Sequence, residues 1–393
     1  MIALDLSRLL SRAGSATPSG IDRVELAYAR HLPAGRDPYC FAALNALGRV
    51  AALPHAEAEQ FVEALAGIWR DGATPQDHRR VTMLARKLRW SALFGERALH
   101  DAMRRGDGRP VYLLVSHHHL DRRTAIARLK RETGARFACF IHDLIPLDFP
   151  HYTRSSQTRR HRRRIATTAA LADAVIVNSA MTSLALQPHL AGAGPIVVAA
   201  APLGVDLTDV AAAAPADPPY FICVGTVETR KNQALLLDVW RRLAAELGGP
   251  APRLLLIGQR GWGGDAIADG LAAFPGVISE HRNVSDAEVM RMLRGARALL
   301  LPSLAEGFGL PVIEALALGV PVICSNLPAL RETGGGVPDY LDPHDAAAWH
   351  AAILDYRIDS PRRQAQLARL AGWRPPRWHD HFAIVDRVIR GLT

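Results

Sequence analysis

The run Glu306-Gly307-Phe308-Gly309-Leu310-Pro311, followed by Val312-Ile313-Glu314 and closed by Gly319-Val320-Pro321-Val322-Ile323, has the residue types and spacing best suited to chemistry in this chain. An apolar strand, Ala298 to Leu301, feeds a glycine-rich turn. Pro311 suits a first helical turn, and Gly319 is placed to end that helix. The backbone N–H groups at such a helix start are unpaired and point outward, which makes a phosphate site. Glu306 and Glu314 flank it, one in the turn and one a helical turn further on. A carboxylate repels phosphate but accepts hydrogen bonds from hydroxyls. Carboxylates beside a phosphate cradle imply a ligand with both phosphates and hydroxyls, which is the chemistry of a sugar nucleotide.

Arg230 and Lys231 follow a strand that ends in Gly225-Thr226, so they emerge at the rim of the expected cleft. Cations there would pair with a diphosphate and stabilise the charge that develops as the bond to the donor breaks. Lysine is rare here. Of 47 Lys and Arg residues only Lys87, Lys130 and Lys231 are lysines, and Lys231 alone lies in the C-terminal half. Gly20 opens a helix after a first strand and a loop rich in small residues, where a backbone without a side chain can approach a diphosphate; Arg23 stands next to it. His142 ends another strand, with Asp143 beside it. His117-His118-His119 follow a strand and cannot all face one metal; they read as a polar loop or an acceptor contact. His379-Asp380-His381 reads as surface. No Asp-x-Asp stands at a strand end to hold Mg²⁺ on a diphosphate, so no metal site is expected.

The elements that must position these residues alternate. Apolar strand candidates are Met1–Ser7, Tyr39–Asn45, Val111–Ser116, Phe137–Asp143, Ala174–Ser179 and Ile196–Ala199 in the first half. In the second half they are Tyr220–Thr226, Leu254–Gly258, Gly276–Glu280, Ala298–Pro302, Pro321–Ser325 and Tyr340–Leu341. Continuous apolar runs separated by helical stretches indicate an α/β class with two doubly wound, Rossmann-like parallel-sheet domains, six strands each, and ligands in the cleft between them. The domains are expected at residues 1–210 and 211–370, joined through the Ala- and Pro-rich stretch 211–219, with a helix at 371–393 packing back on the first. Residues 54–108 read as Arg-rich helices without strands.

Composition narrows the partners. The 393 residues are 49% hydrophobic, and no apolar run reaches the roughly 18 residues of a membrane span. The N-terminus reads as a strand and lacks the features of a signal peptide. Cys40, Cys139, Cys223 and Cys324 are scattered through strand-like runs, as buried thiols of a reducing cytoplasm are. The charge of +9 favours anionic partners, but no aromatic-basic interleaving points to nucleic acid. Arg86-Lys87-Leu88-Arg89-Trp90-Ser91-Ala92-Leu93-Phe94 combines basic residues with Trp90, Leu93 and Phe94 on one expected helix face. With Arg159-Arg160-His161-Arg162-Arg163-Arg164 it suggests peripheral contact with an anionic membrane surface.

The chain resembles the retaining glycosyltransferases of the GT-B fold, family 4, near the bacterial mannosyltransferase-like members. The resemblance rests on Ser19-Gly20-Ile21-Asp22-Arg23-Val24, Ile141-His142-Asp143-Leu144-Ile145-Pro146-Leu147, Val177-Asn178-Ser179 and Leu203-Gly204-Val205-Asp206. It continues with Val224-Gly225-Thr226-Val227-Glu228-Thr229-Arg230-Lys231-Asn232 and the pair Glu306 and Glu314. It implies that Glu314 binds the ribose hydroxyls and that Glu306 contacts hydroxyls of the donor sugar. The N–H groups of Phe308, Gly309 and Leu310 would hold sugar and phosphate oxygens. His142 would contact the transferred sugar, with Asp143 orienting it or lining the acceptor pocket. The donor implied is a nucleotide diphosphate sugar, GDP-mannose or a related one, with UDP-hexose as the alternative, and no further cofactor. The acceptor is a glycan or lipid-linked glycan at the inner face of the membrane. Retention would go by front-face attack, the leaving phosphate taking the acceptor proton. A sugar epimerase, a phosphorylase or a non-catalytic sugar-nucleotide binder on the same fold are the competing classes.

Overall fold

The computed structural model describes residues 1–105, 108–205, 219–247, 251–271 and 273–393. They form two α/β units. The first comprises Met1–Leu147, Ser155–Leu203 and His379–Thr393, and the second Asp148–Arg154 and Gly204–Trp378. Apart from Pro219, the stretch 211–219 expected as a linker lies outside the described residues, as does Asp206.

The first unit is built on a seven-stranded sheet. Its strands are β1 (Ile2–Asp5), β2 (Tyr39–Leu44), β3 (Val50–Ala52), β4 (Val111–Leu114), β5 (Arg136–Ile141), β6 (Ala174–Val177) and β7 (Val197–Ala200). Their order is β3-β2-β1-β4-β5-β6-β7. All pairs are parallel except β2 with β3. The strand β3 is one more than the six expected. It has only three residues and pairs along the sheet edge, too short to stand out as an apolar run.

The second unit holds β8 (Tyr220–Val224), β9 (Arg253–Ile257), β10 (Ile278–His281), β11 (Leu299–Leu301), β12 (Val322–Ser325) and β13 (Asp339–Leu341). The order is β10-β9-β8-β11-β12-β13, parallel throughout. Both sheets reverse direction at their middle, between β1 and β4 and between β8 and β11. In doubly wound sheets ligands gather outside the carboxyl ends of the strands at that reversal.

The central strands are buried on both faces, which is why they read as continuous apolar runs. In β5, Phe137, Ala138, Cys139, Phe140 and Ile141 are all fully buried. All four cysteines lie in strands as free thiols, and Cys40 is half-buried. Residues 54–108 supply the helices His55–Asp71, Pro75–Ser91 and Glu96–Arg104. In the first, Ala58, Phe61, Val62, Leu65, Ile68 and Trp69 form the buried stripe. The second starts from Thr74, whose side chain and that of Asp77 cap each other's backbone N–H groups. It buries only Val81, Ala85 and Leu88, so most of its surface stays basic and exposed.

That helix ends at Ser91, before Leu93 and Phe94, so the expected aromatic face is not one helix face. Trp90 and Phe94 remain 68% and 75% exposed, whereas Leu93 is half-buried. The second basic run is also divided: Arg160 pairs with Asp121, His161 is buried, and Arg159, Arg162 and Arg163 stay exposed.

The helix Trp378–Arg390 corrects the expectation for His379-Asp380-His381. His379 and Asp380 are exposed, but His381 is buried. Its Nδ1 lies 3.0 Å from the Ala201 carbonyl and its Nε2 2.9 Å from the Tyr28 hydroxyl. The reason lies in the helical period, which puts His381 on the same stripe as Phe382, Val385 and Ile389. Among the described residues no helix is long and apolar enough to cross a membrane.

Candidate active site

In the second unit, Gly225 leaves β8 at φ 141°, a backbone conformation that favours glycine. Close by, Gly258 brings the loop after β9 against it: a Cβ at 258 would stand 2.1 Å from the Gly225 carbonyl oxygen. The chain then passes Thr226 and makes one 3₁₀ turn, Thr229–Lys231. Asn232 ends that turn in the left-handed region, and its side chain donates to the carbonyls of Pro302 and Pro343. The Asn of the Arg-Lys-Asn segment is therefore a clamp between the loops after β8, β11 and β13.

The clamp aligns two cations on one carboxylate. Lys231 Nζ lies 2.5 Å from Glu306 Oε1, and Arg230 Nη1 lies 3.4 Å from Glu306 Oε2. The Ser303 hydroxyl donates to Glu306 at 2.7 Å, and Arg230 also donates to the Ala305 carbonyl and to Glu228. Burial pushes the Glu306 carboxyl up, but Lys231 and then Arg230 outweigh it and hold the group below its usual range. Two cations and two carboxylates, Glu228 and Glu306, make this cluster neutral as a whole. It cannot attract a diphosphate by net charge. It offers directed N–H donors whose partner carboxylates can be exchanged for phosphate oxygens.

The helix Leu310–Ala317 starts after Gly309, which sits at φ 97°. A Cβ there would also come within 2.5 Å of Leu330, so the turn requires glycine twice over. Phe308 and Gly309 are buried and Leu310 is half-buried. The Phe308 carbonyl accepts from the Thr333 hydroxyl at 2.6 Å, which fixes the turn. Glu314 is the fifth residue of the helix and is buried.

In the first unit, His142 lies just past the end of β5. Its Nε2 lies 2.8 Å from the Val115 carbonyl. A carbonyl only accepts, so Nε2 carries the proton and Nδ1 keeps a lone pair. The ring stacks on Phe140 with centroids 4.4 Å apart. Its backbone N–H donates to His117 Nε2 at 3.2 Å, and its carbonyl accepts from Asn178 at 2.9 Å. Burial pushes the imidazole down to about 4, so it is uncharged at neutral pH. The Asp143 carboxylate accepts from the Ile145 N–H at 3.1 Å, and the His142 ring is oriented by Val115 and Phe140.

His117 is a correction to the polar-loop reading. It is buried, edge-on to His142 and His161 at 5.2 and 5.0 Å, and burial keeps it neutral. Only its position directly after β4 hinted at this. Asn178 and Ser179, present in the sequence motif, form a buried network with Thr182 that holds the His142 carbonyl and caps the helix Ala180–Leu190.

Gly20 is the first residue of the helix Gly20–Ala34 and is exposed. Ser19 caps that helix together with Asp22. Asp22 is buried and takes Arg8 at 2.5 Å and Arg12 at 3.2 Å. Two arginines thus stand beside the helix start, a feature the sequence reading did not include. Among the described residues, Glu96, His100 and Glu132 bring possible metal-ligand atoms within 4.8 Å of one another. Arg49 and Arg128 already pair with those carboxylates.

Comparison with known proteins agrees with this layout. Residues 207–367 match the family described as "Glycosyl transferases group 1". Residues 116–199 match "Glucosyltransferase 3-like, N-terminal domain". An Escherichia coli protein named O-antigen chain mannosyltransferase B is 37% identical over 152 residues, 38% of this chain and 40% of the relative. The serotype-specific mannosyltransferase WbdA of E. coli is 32% identical over 225 residues, 51% of this chain and 27% of the relative. The matches thus span less than half the length of these relatives. Among solved structures, a sucrose-phosphate synthase of Thermosynechococcus elongatus superposes with a TM-score of 0.63 at 18% identity, covering 100% of this chain and 98% of the other. HepE of Anabaena, solved in complex with UDP and glucose, gives 0.65 at 13% identity over the same shares. With two doubly wound units and these matches, the chain has the GT-B glycosyltransferase fold, and its residues 207–367 form a group 1 glycosyl transferase domain similar to those of bacterial mannosyltransferases.

Proposed function

We propose that the chain moves a hexose, mannose or a related sugar, from a GDP-linked donor to a hydroxyl of a glycan or lipid-linked acceptor, in surface polysaccharide synthesis. The observation that carries this reading is the Glu306–Lys231–Arg230 cluster beside the glycine turn, in a chain similar to O-antigen mannosyltransferases. Arg230 and Lys231 would exchange Glu306 for diphosphate oxygens, and the freed carboxylate would accept from hydroxyls of the donor sugar. The N–H groups at Phe308, Gly309 and Leu310, with those at Gly20, would hold phosphate oxygens. Glu314 would take the ribose diol. His142, neutral with its lone pair on Nδ1, can accept a hydrogen bond from a sugar hydroxyl but brings no positive charge to the leaving phosphate. Charge stabilisation therefore falls to Arg230 and Lys231. Retention would follow from front-face attack, the leaving phosphate oxygen taking the acceptor proton. The exposed Trp90 and Phe94 and the adjoining arginines support peripheral contact with an anionic membrane.

The test is incubation with a panel of GDP- and UDP-sugars, reading nucleotide release with and without acceptor glycans. Acceptor-dependent release from GDP-mannose that persists in excess EDTA is expected. No release from any GDP-sugar would overturn the donor assignment, and Mg²⁺-reversible loss in EDTA would overturn metal independence. Glu314→Ala should weaken donor binding by roughly tenfold to a hundredfold, the equivalent of one hydrogen bond to a charged group. Titration calorimetry with GDP checks it; unchanged affinity removes Glu314 from the ribose.

A further inference from the structure

The first unit contains a cavity of about 470 Å³ that none of the residues assigned to the sugar-nucleotide donor lines. It opens at the carboxyl ends of β1 and β2 and beside the segment after β4, reached through Ser7, Asn45 and His118. That is the reversal point of this sheet, where doubly wound folds bind ligands. Leu10, Leu44, Trp90, Ala92 and Leu93 give it apolar walls. Arg86 and Arg89 line it from the exposed face of the helix Pro75–Ser91. Arg89 donates one N–H to the Leu10 carbonyl. The Arg86 side chain has no hydrogen-bond or ion-pair partner among the described residues, unlike that of Lys87 next to it, which pairs with Glu57. His118 and His119 complete the lining. Burial pushes both down to about 4, so the positive charge at this site is that of the arginines. At the rim, Trp90 and Phe94 are exposed and in edge-to-face contact, with centroids 6.3 Å apart.

We propose that this cavity binds an anionic amphiphile, a phosphate ester of a long-chain alcohol or lipid. Its phosphate sits on Arg86 and Arg89, and its chain runs over Leu10, Leu44, Leu93 and Trp90. An open apolar pocket next to exposed aromatics is costly in water unless an apolar ligand covers it. A free guanidinium at its mouth selects an anion, and its planar donor fork suits phosphate. Neither a free sugar nor inorganic phosphate uses both features. The chemistry is shared by two sources: the lipid carrier of a glycan acceptor, an identity that rests on the transferase reading, and the headgroup region of an anionic phospholipid.

Titration calorimetry of the full chain with dodecyl phosphate, kept below its micelle concentration, tests the site. Saturable binding of one molecule per chain is expected, with dodecanol and inorganic phosphate each weaker by roughly tenfold or more. Arg86→Gln should weaken dodecyl phosphate by roughly tenfold to a hundredfold. Ala46→Trp, which replaces an exposed residue lining the cavity and fills its mouth, should abolish it. Both variants alter exposed positions, and an unchanged thermal midpoint verifies their folding. No saturable binding, equal binding of dodecanol, or equal binding by the wild type and both variants overturns the proposal. Co-sedimentation with anionic vesicles separates the sources. Loss of vesicle binding in Arg86→Gln assigns the phospholipid, and unchanged vesicle binding alongside lost dodecyl phosphate assigns the acceptor's lipid. The titration needs neither donor nor turnover. A chain that transfers no sugar yet binds dodecyl phosphate sinks the transferase reading alone.

Discussion

Lys231→Met is expected to abolish sugar transfer and to lower stability by about 3 kcal/mol, because the same lysine serves two purposes. Its side chain is 12% exposed and pairs with that of Glu306, which is 7% exposed. Removing one partner of a buried ion pair leaves the other charge uncompensated, at about 3–5 kcal/mol. Arg230 and Ser303 still reach Glu306, so the lower end applies. Glu306→Gln should cost a similar amount, because Arg230 keeps Ala305 and Glu228 but the buried Lys231 loses its carboxylate. The informative variant is Lys231→Met with Glu306→Gln. It removes both charges, so most of the stability should return, while the cation needed as the donor phosphate departs is still missing. Urea midpoints and kcat on the three variants check this. Recovery of turnover along with stability in the double variant would show that Lys231 only neutralises Glu306. A rise in KM with kcat unchanged would show that it binds ground-state phosphate without assisting departure.

The sequence carried those residues unevenly. Of the thirteen strands among the described residues twelve were legible, because parallel strands buried on both faces are plain apolar runs, whereas β3 is a short antiparallel edge strand. The glycine turn was legible because Gly309 answers to a local demand, a positive φ. What could not be read is how charges far apart in the chain combine. Nothing near Arg230 in sequence indicates that its loop meets Glu306 and yields a neutral cluster. The same holds for His117 under His142, which depends on β4 and β5 being neighbours. Buried charge on a helix was legible in principle. Glu25 falls on the stripe of Tyr28, Ala29 and Leu32, and only its charge argued against burial.

That glutamate and the buried histidines give the fold a narrow stability optimum, expected near pH 6.5. Burial pushes His142 and His381 down to about 4 and His117 well below its ordinary value, against about 6.5 in the unfolded chain. Below about 6.5 the unfolded state therefore binds more protons than the folded one, so stability falls as pH drops toward 4. Each of the first two shifts amounts to about 3 kcal/mol at its limit. Glu25 acts the other way. Burial, with the charge of Asp5 nearby, pushes it up to about 8, and Asp5 itself is raised by burial. Above its unfolded pKa near 4.5 the unfolded state has lost a proton that folded Glu25 keeps, so stability falls with rising pH until about 8. Between pH 4.5 and 6.5 the histidines outnumber the acids and stability rises with pH. From 6.5 to 8 the histidines no longer contribute, and Glu25 lowers stability by about 2 kcal/mol. Carboxylates held low, such as Glu306, withdraw stability only as pH falls below about 4.5 and leave this window untouched. Urea midpoints from pH 5 to 8.5 should trace a peak. Glu25→Gln should flatten its alkaline limb, and His381→Gln, which can still bond Tyr28 and the Ala201 carbonyl, should shallow its acid limb. A plateau from pH 5 to 8.5 would show that neither group keeps its buried protonation state.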